Sequence, residues 1–370
     1  MRLPRPLASL ALLATIGAAP PAAPREPIYM GGDLSYANEM RDCGAVYRAG
    51  GKPVDPFVLM KQRGGNLARI RIWNDPKWTR YSTLADVKVS IARAHKAGLQ
   101  VLLDFHYSDD WADGDKQNPP AAWVGLTDAQ QAQALHDYTR RVLDTLAREK
   151  LWPELVQVGN ETNPELAAGP KKGINWSRNA LLLNAGLKAV RESAKAAGKP
   201  VQTMLHIAQP ENAEPWFAAA RQAGVTDYDM IGLSYYRKWS KESVAGLAAT
   251  ITRLRATYGK PVMVVETAYP FTTDNADESA NLLGADSLDP AYPATPAGQR
   301  AYLIDLTRAV FKAGGNGINY WAPDWVSTRC GTRWGKGSGW ENAAWFDFHN
   351  RLEALPVMDF LAERPADARR

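Results

Sequence analysis

Apolar positions along this chain follow two rhythms that alternate from one end to the other. Short runs of β-branched, aliphatic and aromatic residues read as strands: "IYMGGDLS" from Ile28, "NLARIRIW" from Asn66, "LQVLLDFH" from Leu99 and "LVQVGNE" from Leu155. Four more follow: "VQTMLHI" from Val201, "MIGLSYY" from Met230, "VMVVETA" from Val262 and "GINYWAP" from Gly317. Between most of them the spacing becomes helical. "LADVKVSIARAHKAGL" stops at Gly98 and "LLNAGLKAVRESAKAAG" at Gly198, where a glycine can end a helix. "ALHDYTRRVLDTLARE" leads into the strand at Leu155, and "AYLIDLTRAVFKAGG" into the strand at Gly317.

Eight strand–helix alternations predict a parallel sheet covered by helices. At 370 residues such a sheet closes into a single (β/α)8 TIM barrel. An open doubly wound sheet would carry a glycine-rich phosphate turn after its first strand, and "GGDLSYANEM" is not G-x-G-x-x-G. The longest loops are expected after strands three, seven and eight, and loops of that length are usually functional.

Composition narrows the class of function. The chain is 45% hydrophobic and 22% charged, as a globular domain with a sizeable core should be. Its net charge of +5 is scattered, and the one tight lysine pair is Lys171-Lys172, which argues against a nucleic-acid partner. Thirteen Trp and fourteen Tyr supply flat, amphipathic rings that suit stacking on sugar faces as well as core packing. Residues 1–23 follow a secretory pattern: Arg2 and Arg5, an apolar stretch from Leu7 to Ile16, then small residues. Residues 24–370 are read as one catalytic domain. No later run is apolar enough to span a bilayer, so a monomer without membrane contact, secreted or periplasmic, is expected once the leader is removed.

In a barrel of this kind, polar residues at the C-terminal strand ends face the active site. In order these ends carry Asp33, Arg71, His106, Asn160 and Glu161, His206, Tyr235, Glu266 and Trp321. Two glutamates on strands four and seven lie across the mouth from one another. Paired carboxyls are the machinery of glycoside hydrolysis, one protonating the leaving oxygen while the other attacks the anomeric carbon or activates water. Two other readings use the same residues: a metal site built from Asp104, His106 and His206, and a barrel that binds sugar without cleaving it.

The strand-end pattern resembles clan A of the glycoside hydrolases, and more closely family 53, the arabinogalactan endo-β-1,4-galactanases. The similar stretches are "GGDLSYANEM", "GGNLARIRIW", "LLDFHYSDDWADGDKQ", "VQVGNETNPE", "MIGLSYY", "VVETAYPF", "GINYWAPDWV" and "WENAAWFDF", covering Gly31 to Phe348. The resemblance implies that Glu161 is the acid/base and Glu266 the nucleophile of a retaining, endo-acting enzyme on a β-1,4-galactan polysaccharide, with no catalytic cofactor. Arg71, Asn160 and Tyr235 would then position Glu266 and the sugar. Asp33, His106 and His206 would line the floor, with Trp321 as a stacking platform and Trp111 farther along the groove. Arg237-Lys238 after "LSYY" and "IAQPENAEPWF" after His206 depart from the family's pattern. Mannanases, endoglucanases and xylanases of the same clan are the nearest alternatives. In the loop after strand seven, Asp274, Asn275, Asp277 and Glu278 offer oxygen ligands for a structural calcium, which some relatives hold there.

Two cysteines remain. Cys43 follows the first strand and Cys330 the eighth, and a closed barrel makes those strands neighbours. An exported chain would join them in a disulfide.

Overall fold

The computed structural model describes residues 26–365 except 170–172 and 334; the leader and the Lys171-Lys172 pair lie outside them. Eight parallel strands close a barrel: β1 (Tyr29–Asp33), β2 (Leu67–Ile72), β3 (Gln100–Phe105), β4 (Leu155–Val158), β5 (Gln202–Ala208), β6 (Met230–Ser234), β7 (Val262–Glu266) and β8 (Gly317–Tyr320). Each expected strand is present. The seam closes where β1 pairs with β8, Tyr29 opposite Gly317, and with β2, Gly31 opposite Leu67. A side chain at Gly31 would begin 1.7 Å from the Leu67 carbonyl oxygen, so only glycine fits there.

Helices α1 (Ala37–Asp42), α2 (Pro56–Gln62), α3 (Leu84–Lys96), α4 (Asp128–Arg148), α5 (Trp176–Ala197), α6 (Pro210–Gln222), α7 (Val244–Tyr258) and α8 (Pro296–Lys312) connect the strands. Their starts are chemically marked. Thr127 and Gln130 form a capping box on α4, and the side chains of Asn175, Ser243 and Thr295 accept backbone N–H groups at the starts of α5, α7 and α8. Gly198 ends α5 in the left-handed conformation expected of it. The divergent stretch "PENAEPWF" opens α6, with Pro210 in the first turn and Pro215 tolerated inside the helix.

Strand alternation sorts the core into two layers. Ala68, Ile70 and Ile72 of β2 pack outward into the main core beneath the helices, as do Val156 and Val158 of β4. The opposite faces meet on the barrel axis, where Tyr29, Leu67, Leu102, Leu155, Met204, Met230, Met263 and Val265 fill one end. Above this plug the inward positions turn polar, and that change marks the working end.

The seam is stitched a second time above the barrel. Cys43 and Cys330 are disulfide-bonded with Cα atoms 5.6 Å apart. Arg48–Ala49 and Lys52–Pro53, after β1, share a small sheet with Phe346–Asp347 and Glu353–Ala354, after β8. The bond closes a span of 287 residues, and removing such a cross-link costs about 2–4 kcal/mol. With unfolding entropy near 2.1 cal/mol/K per residue, Cys43→Ala/Cys330→Ala should melt about 3–6 °C lower, which calorimetry measures. An unchanged melting temperature would show that the small sheet alone secures the seam.

Candidate active site

Continuing the inward face of β2 past Leu67 brings Arg69, then Arg71. Arg69 is fully buried at the barrel's centre, and its guanidinium touches groups from four other strands or their ends. Nη1 donates to Asp33 Oδ2 at 2.9 Å and lies 2.7 Å from Glu266 Oε1. Nη2 reaches Asp104 Oδ2 at 2.8 Å and Asn160 Oδ1 at 2.7 Å, and Nε reaches Gln157 Oε1 at 3.2 Å. Only a planar fork with several donors can serve so many acceptors at once. The residue that holds Glu266 is therefore Arg69, not Arg71.

Arg71 sits one layer higher. Its guanidinium carbon lies 3.9 Å from the Trp111 ring centroid, 4.5 Å from Trp73 and 4.9 Å from Tyr36, and its Nε donates to Ser82 Oγ. It steadies the indole of Trp111 by cation–π contact.

Tyr235 is corrected in the same way. Ser234 of β6 faces inward, so the next residue must face out. The Tyr235 hydroxyl donates to the Glu242 carbonyl, away from the carboxyls. Tyr236 turns in, and its hydroxyl donates to Glu266 Oε2 at 3.2 Å. Glu266 itself breaks parity. The partners of β6 jump from Val264 at Leu233 to Glu266 at Ser234, so Val265 is an extra residue, a bulge. It lets Val265 and Glu266 both point inward, the re-aiming that bulges achieve beside active sites.

Glu161 is delivered by a turn. Gly159 and Glu161 both have positive φ, +84° and +44°, and Thr162 N–H is tied to the His206 carbonyl at 3.0 Å. A non-glycine residue held in that conformation is strained, and such strain clusters at functional sites. Glu161 Oε2 accepts from Gly114 N–H at 3.0 Å, and Oε1 lies 2.5 Å from Ser234 Oγ. Burial pushes the carboxyls of both Glu161 and Glu266 upward; Arg69 opposes this at Glu266, while Ser234 and Gly114 oppose it at Glu161.

Above the two carboxyls opens a cleft of about 840 Å³, lined by Trp111, Asn160, Glu161, Glu266, Trp321 and Trp340 among others. Trp321 meets Trp340 edge-on at 4.5 Å and Trp111 at 5.7 Å. Exposed Trp239 and Leu282 extend the wall. Asp33, His106 and His206 were expected on the floor, but the structure buries all three beneath it. Asp33 serves Arg69. His106 takes the Ala112 N–H on Nδ1, so Nε2–H donates to Asp104. Burial lowers the His106 pKa, opposed by Asp104. With both nitrogens of each imidazole engaged by protein groups, neither His106 nor His206 is free to ligate a metal.

The four expected calcium ligands do not converge. Asp277 accepts from Ser279 N–H, Ser338 N–H and the Ser327 hydroxyl. Asn275 accepts from Asn281, Asp274 pairs with His349, and Glu278 is exposed. Among the described residues no cluster of three or more His, Cys, Asp or Glu is placed to hold a metal ion, and no helix is long and apolar enough to cross a membrane.

Comparison with known proteins agrees with this geometry. The chain is 52% identical over 359 residues to an arabinogalactan endo-β-1,4-galactanase of Cellvibrio japonicus (strain Ueda107), covering 96% of each chain. It is 33% identical to an endo-β-1,4-galactanase of Bacillus subtilis (strain 168), covering 85% of this chain and 76% of the relative. The solved catalytic domain of an Ignisphaera aggregans family 53 enzyme superposes with a TM-score of 0.83 at 30% identity, covering 92% of this chain and 97% of that one. The sequence model of glycosyl hydrolase family 53 matches residues 29–361. A match of that extent, over a closed barrel with two facing glutamates, places the chain in glycosyl hydrolase family 53.

Proposed function

We propose that the protein is an exported, monomeric, retaining endo-β-1,4-galactanase that cuts internal bonds of galactan and type I arabinogalactan. The observation that carries this reading is the unequal pair of carboxyls beneath an indole-lined cleft. Glu266 touches a full positive charge, Arg69, whereas Glu161 receives only neutral donors. Burial raises both carboxyls, and the Arg69 charge beside Glu266 is the reason we place the pair's negative charge on Glu266 and its proton on Glu161. In the first step Glu266 attacks the anomeric carbon while Glu161 gives its proton to the glycosidic oxygen, and the C–O bond breaks. In the second, water passes a proton to Glu161 as its oxygen displaces Glu266, which leaves as carboxylate. Two inversions give net retention. Asn160, Trp111 and Trp321 hold the sugar, and no cofactor takes part. The names of the relatives select galactan over mannan, glucan or xylan. The leader-like residues 1–23 and the disulfide support an oxidising, extracytoplasmic location.

Release of reducing ends from a panel of purified polysaccharides tests the reading. Galactan should be cleaved to short oligosaccharides, with the β anomer appearing first by NMR. An α product, galactose alone from the outset, or faster cleavage of mannan or xylan would overturn it. The four oxygen-bearing side chains after β7 do not converge, so melting temperatures with calcium and with chelator should coincide. A drop on chelation would restore a structural cation there.

A further inference from the structure

The last inward residue of β6, Ser234, is fully buried and joins two groups from other strands. Its Oγ lies 2.5 Å from Glu161 Oε1 and 2.8 Å from His206 Nε2. On the far side of the ring, His206 Nδ1 receives the backbone N–H of Glu161 at 3.3 Å, with Gln157 Nε2 and Asn160 Oδ1 at 3.1 and 3.0 Å. The hydrogen bonds form a loop that starts and ends on one residue. Glu161 N–H and Gln157 Nε2 both donate to Nδ1, and Asn160 Oδ1 beside it is already supplied by Arg69 and Gln157. Nε2–H therefore donates to Ser234 Oγ, and the Ser234 hydroxyl donates to Glu161 Oε1. Burial, helped by Arg69 and His106, lowers the pKa of His206 well below the usual histidine value and keeps the ring neutral. A neutral ring with its hydrogen on Nε2 cannot accept from Ser234, so the serine has one remaining acceptor.

We propose that Ser234 is the positioning residue of Glu161: it holds Oε1 as the acceptor oxygen and thereby leaves Oε2, on the Gly114 side, to carry the catalytic proton. The inference rests on Glu161 being the acid/base. A donor fixed on one oxygen has two consequences. It sets the direction in which the proton leaves, and it stabilises the carboxylate that must form when that proton has gone. The other charged or titratable groups facing Glu161 are Asp113, Arg69, Glu266 and Tyr236. All of them are left in place by a change at Ser234, so the serine's share can be isolated.

The experiment is a set of pH profiles for Ser234→Ala, Ser234→Thr and Ser234→Cys. Loss of the donor destabilises the Glu161 carboxylate and raises its pKa. The acid form then survives to higher pH, so the basic limb of kcat/KM on galactan should move upward by about one pH unit in Ser234→Ala. With a dinitrophenyl β-galactobioside, whose leaving group needs no proton, breakdown of the glycosyl-enzyme limits turnover. There Glu161 acts as base, and the acidic limb of kcat should move upward by the same amount. Ser234→Thr keeps a hydroxyl and should retain both limbs. Ser234→Cys, a weak donor, should fall between, and it carries the test should the alanine variant fail to fold. Limbs that stay in place while the rate falls at every pH would overturn the proposal, as would equal shifts in the threonine and alanine variants. Glu161→Gln, run in parallel, separates the two levels of the argument. If its basic limb on galactan persists, the acid assignment itself fails. If that limb disappears while Ser234→Ala shows none of the shifts, only the role of Ser234 fails.

Discussion

Glu266→Ala should reduce turnover by at least about 10⁴-fold on every substrate, because among the described residues Glu161 is the one other strand-end carboxyl that opens on the cleft. Asp33 and Asp104 are the nearest acids of the same network, and both are buried beneath the cleft and engaged by Arg69. Glu161→Ala should differ in kind. On galactan it should lose about 10²–10⁴-fold, the usual worth of a positioned proton donor. On a dinitrophenyl galactobioside the first step needs no proton, so a burst of dinitrophenol should survive even though slow breakdown follows. Small anions such as azide should accelerate that breakdown, since the truncated side chain leaves room beside the intermediate. Mass spectrometry of the quenched burst should find the sugar on the peptide containing Glu266. A burst in Glu266→Ala, or its loss in Glu161→Ala, would reverse the roles.

Arg69→Met is expected to have the largest effect on stability. The guanidinium contacts three buried carboxylates at 2.7 to 2.9 Å, and among the described residues no other cation pairs with them. Removing one partner of a buried pair costs about 3–5 kcal/mol, since the charge left behind is neither solvated nor compensated. For a domain of this size that corresponds to about 4–7 °C in melting temperature. Activity should fall at the same time, because Glu266, relieved of its counter-charge, holds a proton when it should attack. Arg69→Lys restores the charge without the fork, so it should recover part of the stability and little of the rate. Equal melting temperatures for the methionine variant and the parent would mean that these acids are protonated in the folded protein.

The residues that carry this chemistry were partly legible in the sequence. All eight strands could be read because each ends an apolar run, and the closed order placed Cys43 beside Cys330 before any coordinates. Alternation also held enough information to prefer Tyr236 over Tyr235, since Met230, Gly232 and Ser234 share the inward face. It could likewise have drawn attention to Arg69, which shares its face with Leu67 and Arg71. What alternation cannot show is depth: Arg69 and Arg71 point the same way, and only the closed barrel puts one beside Glu266 and the other among indoles. The bulge at Val265 is invisible for a different reason. "VMVVE" gives no sign of which valine is extra, and a regular strand would have turned Glu266 outward if Val265 faced in. Spacing in the loop after β7 also does not reveal that Asp274, Asn275, Asp277 and Glu278 fail to converge, with Asp277 already taken by two backbone amides and a serine hydroxyl.

The rings around the cleft also give the protein an optical signature. Trp78, Trp73, Trp111 and Trp321 follow one another at centroid spacings of 5.1 to 5.7 Å, and Trp325 and Trp340 branch from Trp321. Indoles so close do not absorb independently. Their transition dipoles couple, and neighbours inclined at 47° to 86° make that coupling chiral, so the folded cleft should show a paired circular-dichroism band that the unfolded chain lacks. Excitation absorbed at one ring passes along the row before it is emitted. A sugar laid on Trp321 therefore perturbs the emission of the whole row, and occupancy of the groove can be followed by native fluorescence without attaching a label.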